Sequence, residues 1–489
     1  MKFATQDPSR RLFLRQAASF SALGTAAPLA LNLAAMGSAA AQTAEDYKAL
    51  VCIYLSGGND AYNTVLATDA ASWSAYTATR NQQPSPIALA SNQVLALQPA
   101  RALASGRSLA LHPQLTGLQS LFNQQRRLAI VSNVGPLIEP LSKEEYLRQY
   151  KRQPAKLFSH NDQASTWQAL APEGTSLGWG GRLADLVASG NGNSLFTAIS
   201  AGGNAVWASG KTVKQYQLQA DRVPKLGVSL QADGVERLFG SAQAAQALQR
   251  IAGSTRSTHR FEADLSESAK RSIAAERILG SALPGASETP YGPTNLLYYR
   301  RPDGATELNP LAQQLQVVAR TMGARRALNM KRQVFFVNLG GFDTHDSQLE
   351  RHAILMARLN HAMVYFNNVI NGMGLDNNVT TFTASDFGRS FTSNGDGTDH
   401  GWGGHHFVMG GAVQGGTVVG DIPVYSTKNS NNNHFDGSAD QLANGALLPQ
   451  ISVDQYGAAL GKWFGAGSGL STVFPNLGNF STGLSLMKV

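Results

Sequence analysis

The chain has 489 residues, of which 43% are hydrophobic and 15% are charged, and its formal net charge is +8 at pH 7. This length is sufficient for one large domain or two smaller domains with buried cores. The single cysteine, Cys52, excludes an internal disulfide and a multi-cysteine zinc site. The sequence has no long basic stripe with interleaved aromatic residues, so we expect no nucleic-acid partner.

The first 41 residues have the features of a twin-arginine signal peptide. Arg10 and Arg11 precede a weakly apolar run from Ala17 to Met36, and the small residues Ser38–Ala41 form a cleavage site. The alternative is an ordinary amphipathic first helix. We predict that the twin-arginine export machinery is a partner and that the mature protein, residues 42–489, is periplasmic or secreted without a stable membrane anchor. Cleavage removes four of 40 basic and one of 32 acidic residues, which leaves a formal net charge of +5.

Buried strands alternate with helices along the mature chain. Short apolar runs rich in β-branched and aromatic residues predict strands, and apolar residues at helical spacing predict helices. The predicted strands are Lys48–Ser56, Leu128–Asn133, Leu195–Ser200, Gln333–Leu339 and Asn378–Ala384. The predicted helices are His112–Gln125, Ser142–Arg152, Phe261–Leu279, Pro310–Met330, Ser347–Met373 and Val453–Phe464. Ser142 and Glu145 form a capping box, and Gly280 fits the C-cap of the Phe261–Leu279 helix.

This alternation predicts an α/β fold with a mostly parallel sheet that is covered by helices on both faces. The pattern weakens between residues 205 and 307, and we interpret that region as an inserted cap over the core. Ligands of such sheets bind beyond the carboxyl ends of the strands. Functional residues are therefore expected where the predicted strands end.

Acidic residues follow three of the predicted strands. Asp60 comes after the first strand, Asp343 and His345 after the fourth, Asp386 after the fifth, and His400 a little further on. Carboxylates brought together at one sheet edge repel unless a cation lies among them. Carboxylate and imidazole ligands suit zinc, manganese or iron, and oxygen ligands suit calcium. The residues predict a divalent metal site, although each alone also fits a turn, cap or loop position.

A second polar group lies just before Trp167. Ser159 is a candidate hydroxyl nucleophile and His160 a candidate substrate contact, but Ser159 also fits the N-cap of a short helix, which local chemistry alone favours. His405 and His406 are adjacent, so on a strand their side chains would face opposite ways and at most one would join a metal site.

Six segments of the mature chain are distinctive sequence motifs that occur in a fixed order. They are LSGGNDAYNTV, LALHPQLTGL, LAIVSNVG, FSHNDQ, GGFDTHDSQ and SDFGRSFTSNGDGTDHGWGGHHFVMGGAVQGGTVVGDIP. Together with the twin-arginine start, this series resembles the bacterial proteins grouped as domain of unknown function 1501. That family is distantly similar to the alkaline phosphatase and sulfatase superfamily in sheet topology and in the order of its acidic motifs.

The resemblance implies an alkaline-phosphatase-like fold and a metal-dependent hydrolase of phosphate or sulfate esters, small or polymeric. The residues that correspond to metal ligands by motif order are Asp60, Asp343, His345, Asp386 and His400. Ser159 or a water molecule would attack in line, and Arg389 or His160 would stabilise charge on the transferred group. Phe387 stands where phosphatases often have a histidine, which puts a full two-metal site in doubt.

Two functions therefore stay open from the sequence. The first is an exported metal-dependent ester hydrolase that uses zinc, manganese, iron or calcium. The second is a non-catalytic secreted protein that binds a surface polymer or a partner with a degenerate hydrolase fold. Convergence of the candidate ligand atoms to within about 5 Å of one another would favour the first function, and scattered side chains would favour the second.

Overall fold

The computed structural model describes residues 46–103, 106–225, 229–231, 233, 235–252, 254, 259–430, 433–481 and 483–488. The signal peptide predicted for residues 1–41 lies outside these residues. None of the helices in the described part of the chain has the length and apolar character needed to cross a bilayer.

Eighteen strands are present in the described residues. They are β1 (Lys48–Ser56), β2 (Val65–Ala67), β3 (Leu95–Ala96), β4 (Leu109–Leu111), β5 (Leu128–Gly135), β6 (Ala198–Ser200), β7 (Tyr216–Gln217), β8 (Ser229–Leu230), β9 (Glu236–Arg237), β10 (Tyr298–Arg300), β11 (Thr306–Leu308), β12 (Arg332–Gly340), β13 (Val379–Ser385), β14 (Arg389–Ser393), β15 (Thr398–His400), β16 (Gly404–Met409), β17 (Val418–Val419) and β18 (Ile451–Ser452).

Nine of these strands form one sheet in the order β17-β5-β16-β13-β1-β12-β6-β7, with β18 also paired to β5. Strand β16 is antiparallel to both of its neighbours, and every other pairing in this sheet is parallel. The prediction of a mostly parallel sheet is confirmed. Strands β13, β1 and β12 lie side by side at its centre, so their carboxyl ends meet at one edge.

Twelve α-helices accompany the strands in the described residues. They are α1 (Ala61–Thr64), α2 (Ala70–Arg80), α3 (Thr116–Asn123), α4 (Lys143–Leu147), α5 (His160–Ala169), α6 (Trp179–Val187), α7 (Ala242–Ala252), α8 (Arg260–Ala282), α9 (Pro310–Gly323), α10 (Gln348–Gly372), α11 (Val453–Phe464) and α12 (Leu470–Val473).

The central strand β1 separates two hydrophobic cores. Alternate side chains of a strand point to opposite faces. Val51 and Ile53 join the core that contains α9, α10 and α3, whereas Leu50 and Cys52 join the core that contains α6 and α11. Cys52 has no exposed surface, and burial raises the pKa of its thiol. Helices therefore cover both faces of the sheet, as predicted, and burial on both faces explains why β1 is apolar from Ala49 to Leu55.

The sequence identified the long elements and misplaced several of their ends. Helix α9 ends at Gly323 rather than at residue 330, and the following turn contains Asn329 in the left-handed region at φ 52°. Helix α4 is also shorter than expected, although its predicted capping box is present. Gly280 does not cap α8, because that helix continues to Ala282. In the third predicted strand, Ser194–Phe196 is a 3-10 turn and the strand begins only at Ala198.

Four histidines are buried as neutral groups in the two cores. Burial lowers the pKa of His352 and of His405 to about 4 and that of His406 to about 3. Burial also lowers the pKa of His112 well below its usual value of 6.5. His112 and His352 lie ring to ring at 5.4 Å. Each imidazole is neutral in the folded protein but binds a proton in the unfolded chain below pH 6.5.

We expect the free energy of unfolding to fall as the pH decreases from 6.5 towards 4. Each buried histidine contributes up to about 1.4 kcal/mol per pH unit, because the unfolded state binds the extra proton. Asp454 opposes this between pH 3.8 and 6, since burial raises its pKa to about 6. Urea unfolding of the wild type and of His406→Gln between pH 7 and 4.5 measures the effect. A wild-type stability that is flat over this range would contradict the account.

Candidate metal centre

Three aspartates meet at the carboxyl edge of the central strands. Asp60, Asp343 and Asp386 follow β1, β12 and β13, which are neighbours in the sheet. Gly57 permits this close approach, because it has φ 113° and an added Cβ would lie 2.3 Å from the backbone nitrogen of Asp343. The fold therefore places three carboxylates along one edge of the sheet, and each needs compensation for its charge.

Asp60 is neutralised by a buried arginine. Its carboxylate oxygens accept hydrogen bonds from Arg80 Nη1 at 2.6 Å and Nη2 at 3.0 Å, and neither side chain has exposed surface. Burial alone would raise the pKa of Asp60, but the charge and hydrogen bonds of Arg80 hold it below its usual value. Such a bidentate pair is the strong form of a carboxylate–guanidinium contact.

The remaining contacts of Asp60 leave it outside any metal centre. Gln348 Nε2 donates to Oδ2 at 2.6 Å, and Tyr62 N donates to Oδ1 at 3.2 Å as the first turn of α1 begins. Asp60 is thus the N-cap of α1, which was the local alternative to metal ligation. The structure does not bring its carboxylate together with the other candidate ligands, because Arg80 and Gln348 occupy its oxygens.

Asp343, His345 and His400 do converge. Asp343 Oδ1 lies 3.0 Å from His345 Nε2 and 3.3 Å from His400 Nε2, and the two Nε2 atoms are 3.1 Å apart. The three atoms form a nearly equilateral triangle. Ligand atoms around a tetrahedral ion with bonds of about 2.0–2.1 Å are separated by about 3.3 Å. The donor set and its spacing therefore fit a divalent cation.

A hydrogen bond orients one of the two imidazoles towards this triangle. His400 Nδ1 lies 2.9 Å from the backbone oxygen of Phe158, and a proton on Nδ1 leaves the Nε2 lone pair directed at the shared point. His345 Nδ1 lies 3.6 Å from Asp399 Oδ1, which is beyond hydrogen-bond distance but close enough for electrostatic attraction. Outer partners of this kind fix the tautomer and orientation of metal-binding histidines. Phe158 contributes through its backbone oxygen, so no side-chain pattern in the sequence predicts this contact.

Arg389 lies behind the triangle rather than in the open site. Its side chain has no exposed surface, and its Nη1 donates to Asp343 Oδ1 and to the Gly57 carbonyl oxygen, both at 2.9 Å. Its Nε donates to Thr398 Oγ1 at 2.8 Å. Burial opposes ionisation of Asp343, yet the Arg389 hydrogen bond and charge hold its pKa below the usual value. The structure thus places Arg389 against Asp343 and without exposed surface, whereas the sequence predicted that it contacts a transferred group.

Asp386 pairs with His160 instead of joining the triangle. Its Oδ2 accepts from Gly57 N at 2.6 Å and lies 3.4 Å from His160 Nε2. Burial raises the pKa of Asp386, and the Tyr54 hydroxyl, the Gly57 N–H and His160 only partly offset this. The His160 side chain is 40% exposed and lies edge-on to His400 at a ring distance of 6.0 Å. The pair therefore flanks the triangle and reaches solvent through His160.

Ser159 occupies the N-cap position of α5, but its side chain accepts no backbone N–H. Its hydroxyl instead donates to Asp162 Oδ2 at 2.8 Å. His405 and His406 are both buried in β16, and neither belongs to the triangle of ligand atoms. Of the five predicted metal ligands, three converge, and Asp60 and Asp386 have other partners.

Arg80, which decides the role of Asp60, was not among the residues predicted for the site. Arg80 ends α2 and also donates to the backbone oxygens of Ser390 and Phe391, 310 and 311 positions away. A detectable signal is that the segment from Ala70 to Arg80 contains no charged residue other than this arginine. A lone basic residue on an otherwise uncharged helix predicts a buried partner, but not which carboxylate it meets.

Comparisons with known proteins identify a matching family and some similar solved structures. A family model described as "Protein of unknown function (DUF1501)" matches residues 47–465, and no curated protein matches the chain in sequence. One similar solved structure is that of Ps i-CgsB in complex with k-i-k-neocarrahexaose, at 10% identity and a TM-score of 0.32, which covers 86% of this chain and 72% of that one. Another is the PsFucS1 sulfatase from Pseudoalteromonas sp., at 9% identity and a TM-score of 0.29. This similarity covers 88% of the present chain and 70% of the sulfatase chain. Likenesses of this size do not bear on what the chain does.

We expect Arg80→Met to destabilise the fold by about 3–5 kcal/mol, because it leaves the Asp60 carboxylate buried and unpaired. Arg148→Met is the matched control: Arg148 pairs with Glu144 at 3.1 Å, but both side chains are more than half exposed. That control should cost less than about 1 kcal/mol. Urea unfolding measures both.

The double variant Asp60→Asn/Arg80→Met should recover part of the loss, since it removes the unpaired charge. Equal, small effects of Arg80→Met and Arg148→Met would show that the buried pair does not hold this edge of the sheet together.

Proposed function

The chain belongs to the DUF1501 family, and on that premise we propose that its mature form is an extracytoplasmic metal-dependent hydrolase of phosphate or sulfate esters. In this proposal Asp343, His345 and His400 hold the metal ion. The ester class is supported by the order of the acidic motifs, and the location by the twin-arginine pattern in residues 1–41.

The triangle of ligand atoms is the observation that carries the proposal. Three protein ligands, two imidazoles and one carboxylate, are typical of catalytic sites, which keep a further position open for water or substrate. Asp343 and His345 are each 43% exposed, so the group faces solvent rather than a closed core. Two nitrogen donors favour zinc, manganese or iron over calcium, which prefers oxygen ligands throughout.

The residues around the triangle have separate parts in the proposed reaction. A bound divalent ion would supply Lewis acidity and make an attacking water more acidic. Arg389 holds Asp343 in place from the buried side. His160, anchored by Asp386 and partly exposed, is placed to contact the transferred group. The attacking oxygen comes from Ser159, whose hydroxyl is held by Asp162, or from water.

A second candidate function is favoured by the two buried arginines. Arg80 occupies both oxygens of Asp60, and Arg389 already donates to the Asp343 oxygen that faces the histidines. Internal cations thus compensate two of the three strand-end carboxylates. This arrangement supports a non-catalytic protein that binds a surface polymer or a partner and retains only a degenerate hydrolase site.

Metal binding separates the two candidates. We expect the mature wild type, purified after export, to retain or take up one equivalent of zinc, manganese or iron in elemental mass spectrometry. His345→Ala and His400→Ala should weaken the affinity by more than about tenfold, which is the loss typical of removing even an outer partner of a metal ligand. Asp386→Asn should keep the ion, since Asp386 lies outside the triangle.

The matched control is Asp346→Ala, which removes an exposed carboxylate next to His345 that pairs with Arg351 at 2.8 Å. It should bind the ion like the wild type. Folded wild-type protein that binds none of these ions would exclude the hydrolase and leave the binding protein.

For the reaction itself, we expect hydrolysis of 4-nitrophenyl phosphate or 4-nitrophenyl sulfate that a chelator abolishes and the retained metal restores. Ser159→Ala should lower kcat by on the order of 100-fold or more if the hydroxyl is the nucleophile, and little if water attacks. Metal binding without turnover of either ester would contradict the proposed substrate class while leaving the metal centre in place.

A further inference from the structure

A long trough runs through the region between β7 and β10, away from the three metal-ligand candidates. Two adjoining cavities form it, with volumes of about 970 and 470 Å³. The larger cavity extends from the loop after β7 to the last turn of α9, and the smaller lies between α7 and α8. Gln249 and Arg277 line both cavities, so the two cavities adjoin.

The trough is basic. Its basic lining residues are Arg222, Lys225, Arg250, Lys270, Arg277 and Arg320, and its acidic lining residues are Glu236 and Glu276. Asp221 and Glu267 lie just outside the lining and pair with two of these cations. Six cations against four carboxylates give an excess of two positive charges.

These four carboxylates contact only three of the six cations. Lys225 Nζ contacts Glu236 and lies 3.3 Å from Glu276 Oε1. Arg222 pairs with Asp221, and Lys270 pairs with Glu267; the two carboxylates of these pairs lie outside the lining. Within the described chain Arg250 and Arg277 are exposed and form no ion pair. These two guanidinium groups are available to an incoming anion.

The other lining groups indicate the class of that anion. Gln219, Gln246 and Gln249 add amide donors and acceptors that suit hydroxyl groups. No described lining residue of either cavity is aromatic, so the trough lacks the stacking platforms on which single-stranded nucleic acids bind. We infer that this trough binds an anionic polysaccharide, with Arg250 and Arg277 as its main contacts to the acidic groups.

Fluorescence anisotropy with labelled dextran sulfate tests the inference on the full mature protein. Arg250→Glu/Arg277→Glu should weaken binding by about tenfold or more, because like charges replace opposite ones. Arg260→Glu/Arg271→Glu is the matched control, since it makes the same charge change at exposed positions of α8 that line neither cavity. The control should change binding less than about threefold. All four positions are exposed, and thermal melting checks that each variant is folded.

Three results would overturn the inference. The first is an equal loss in the two double variants, which would mean attraction by overall charge. The second is equal affinity for neutral dextran, and the third is equal affinity for oligodeoxythymidine. Asp343→Ala should bind dextran sulfate like the wild type, so a failed metal centre and a failed trough are distinguishable.

Discussion

Compensation of negative charge at one sheet edge is the constraint on which the site depends. Three carboxylates follow adjacent strands, and at least partly buried carboxylates stay ionised only when positive charge or hydrogen-bond donors lie near them. The fold supplies these unequally. Arg80 donates to both oxygens of Asp60, and Arg389 donates to one oxygen of Asp343. Asp386 has no arginine partner, and its charge is only partly offset by the Tyr54 hydroxyl, the Gly57 N–H and the partly exposed His160. The differing pKa directions of the three groups follow from these partners.

This unequal compensation determines where a metal ion fits. Asp60 has no oxygen left to offer, and Asp386 faces His160 in a separate pair. Asp343 differs because Arg389 approaches from the buried side while the same carboxylate faces His345 and His400 in the open. Arg389 thus holds the ligand in place, and its own positive charge works against a bound cation. The same residue supports both candidate functions, and only metal affinity decides between them.

The sequence predicted the long strands and helices and the need for positive charge near the acidic strand ends. It did not show whether a metal ion or an arginine supplies that charge. Apolar strands such as Lys48–Ser56 and the capped helix Val453–Phe464 were predicted at their observed ends, because burial and capping are local signals. The pairing of Asp60 with Arg80 was not predicted. Arg80 also donates to backbone oxygens more than 300 positions away, and the sequence does not show that these segments lie together. Metal and guanidinium satisfy the same electrostatic requirement, so acidic strand ends alone do not distinguish them.

The most direct test is a crystal structure of the mature protein soaked in Mn²⁺, with anomalous data collected at a wavelength where manganese scatters. The account predicts one strong anomalous peak within about 2.0–2.3 Å of Asp343 Oδ1, His345 Nε2 and His400 Nε2. It also predicts that Arg80 keeps both of its contacts to Asp60. A peak bound by Asp60 or Asp386, or no peak at a Mn²⁺ concentration that saturates comparable His/Asp sites, would contradict it.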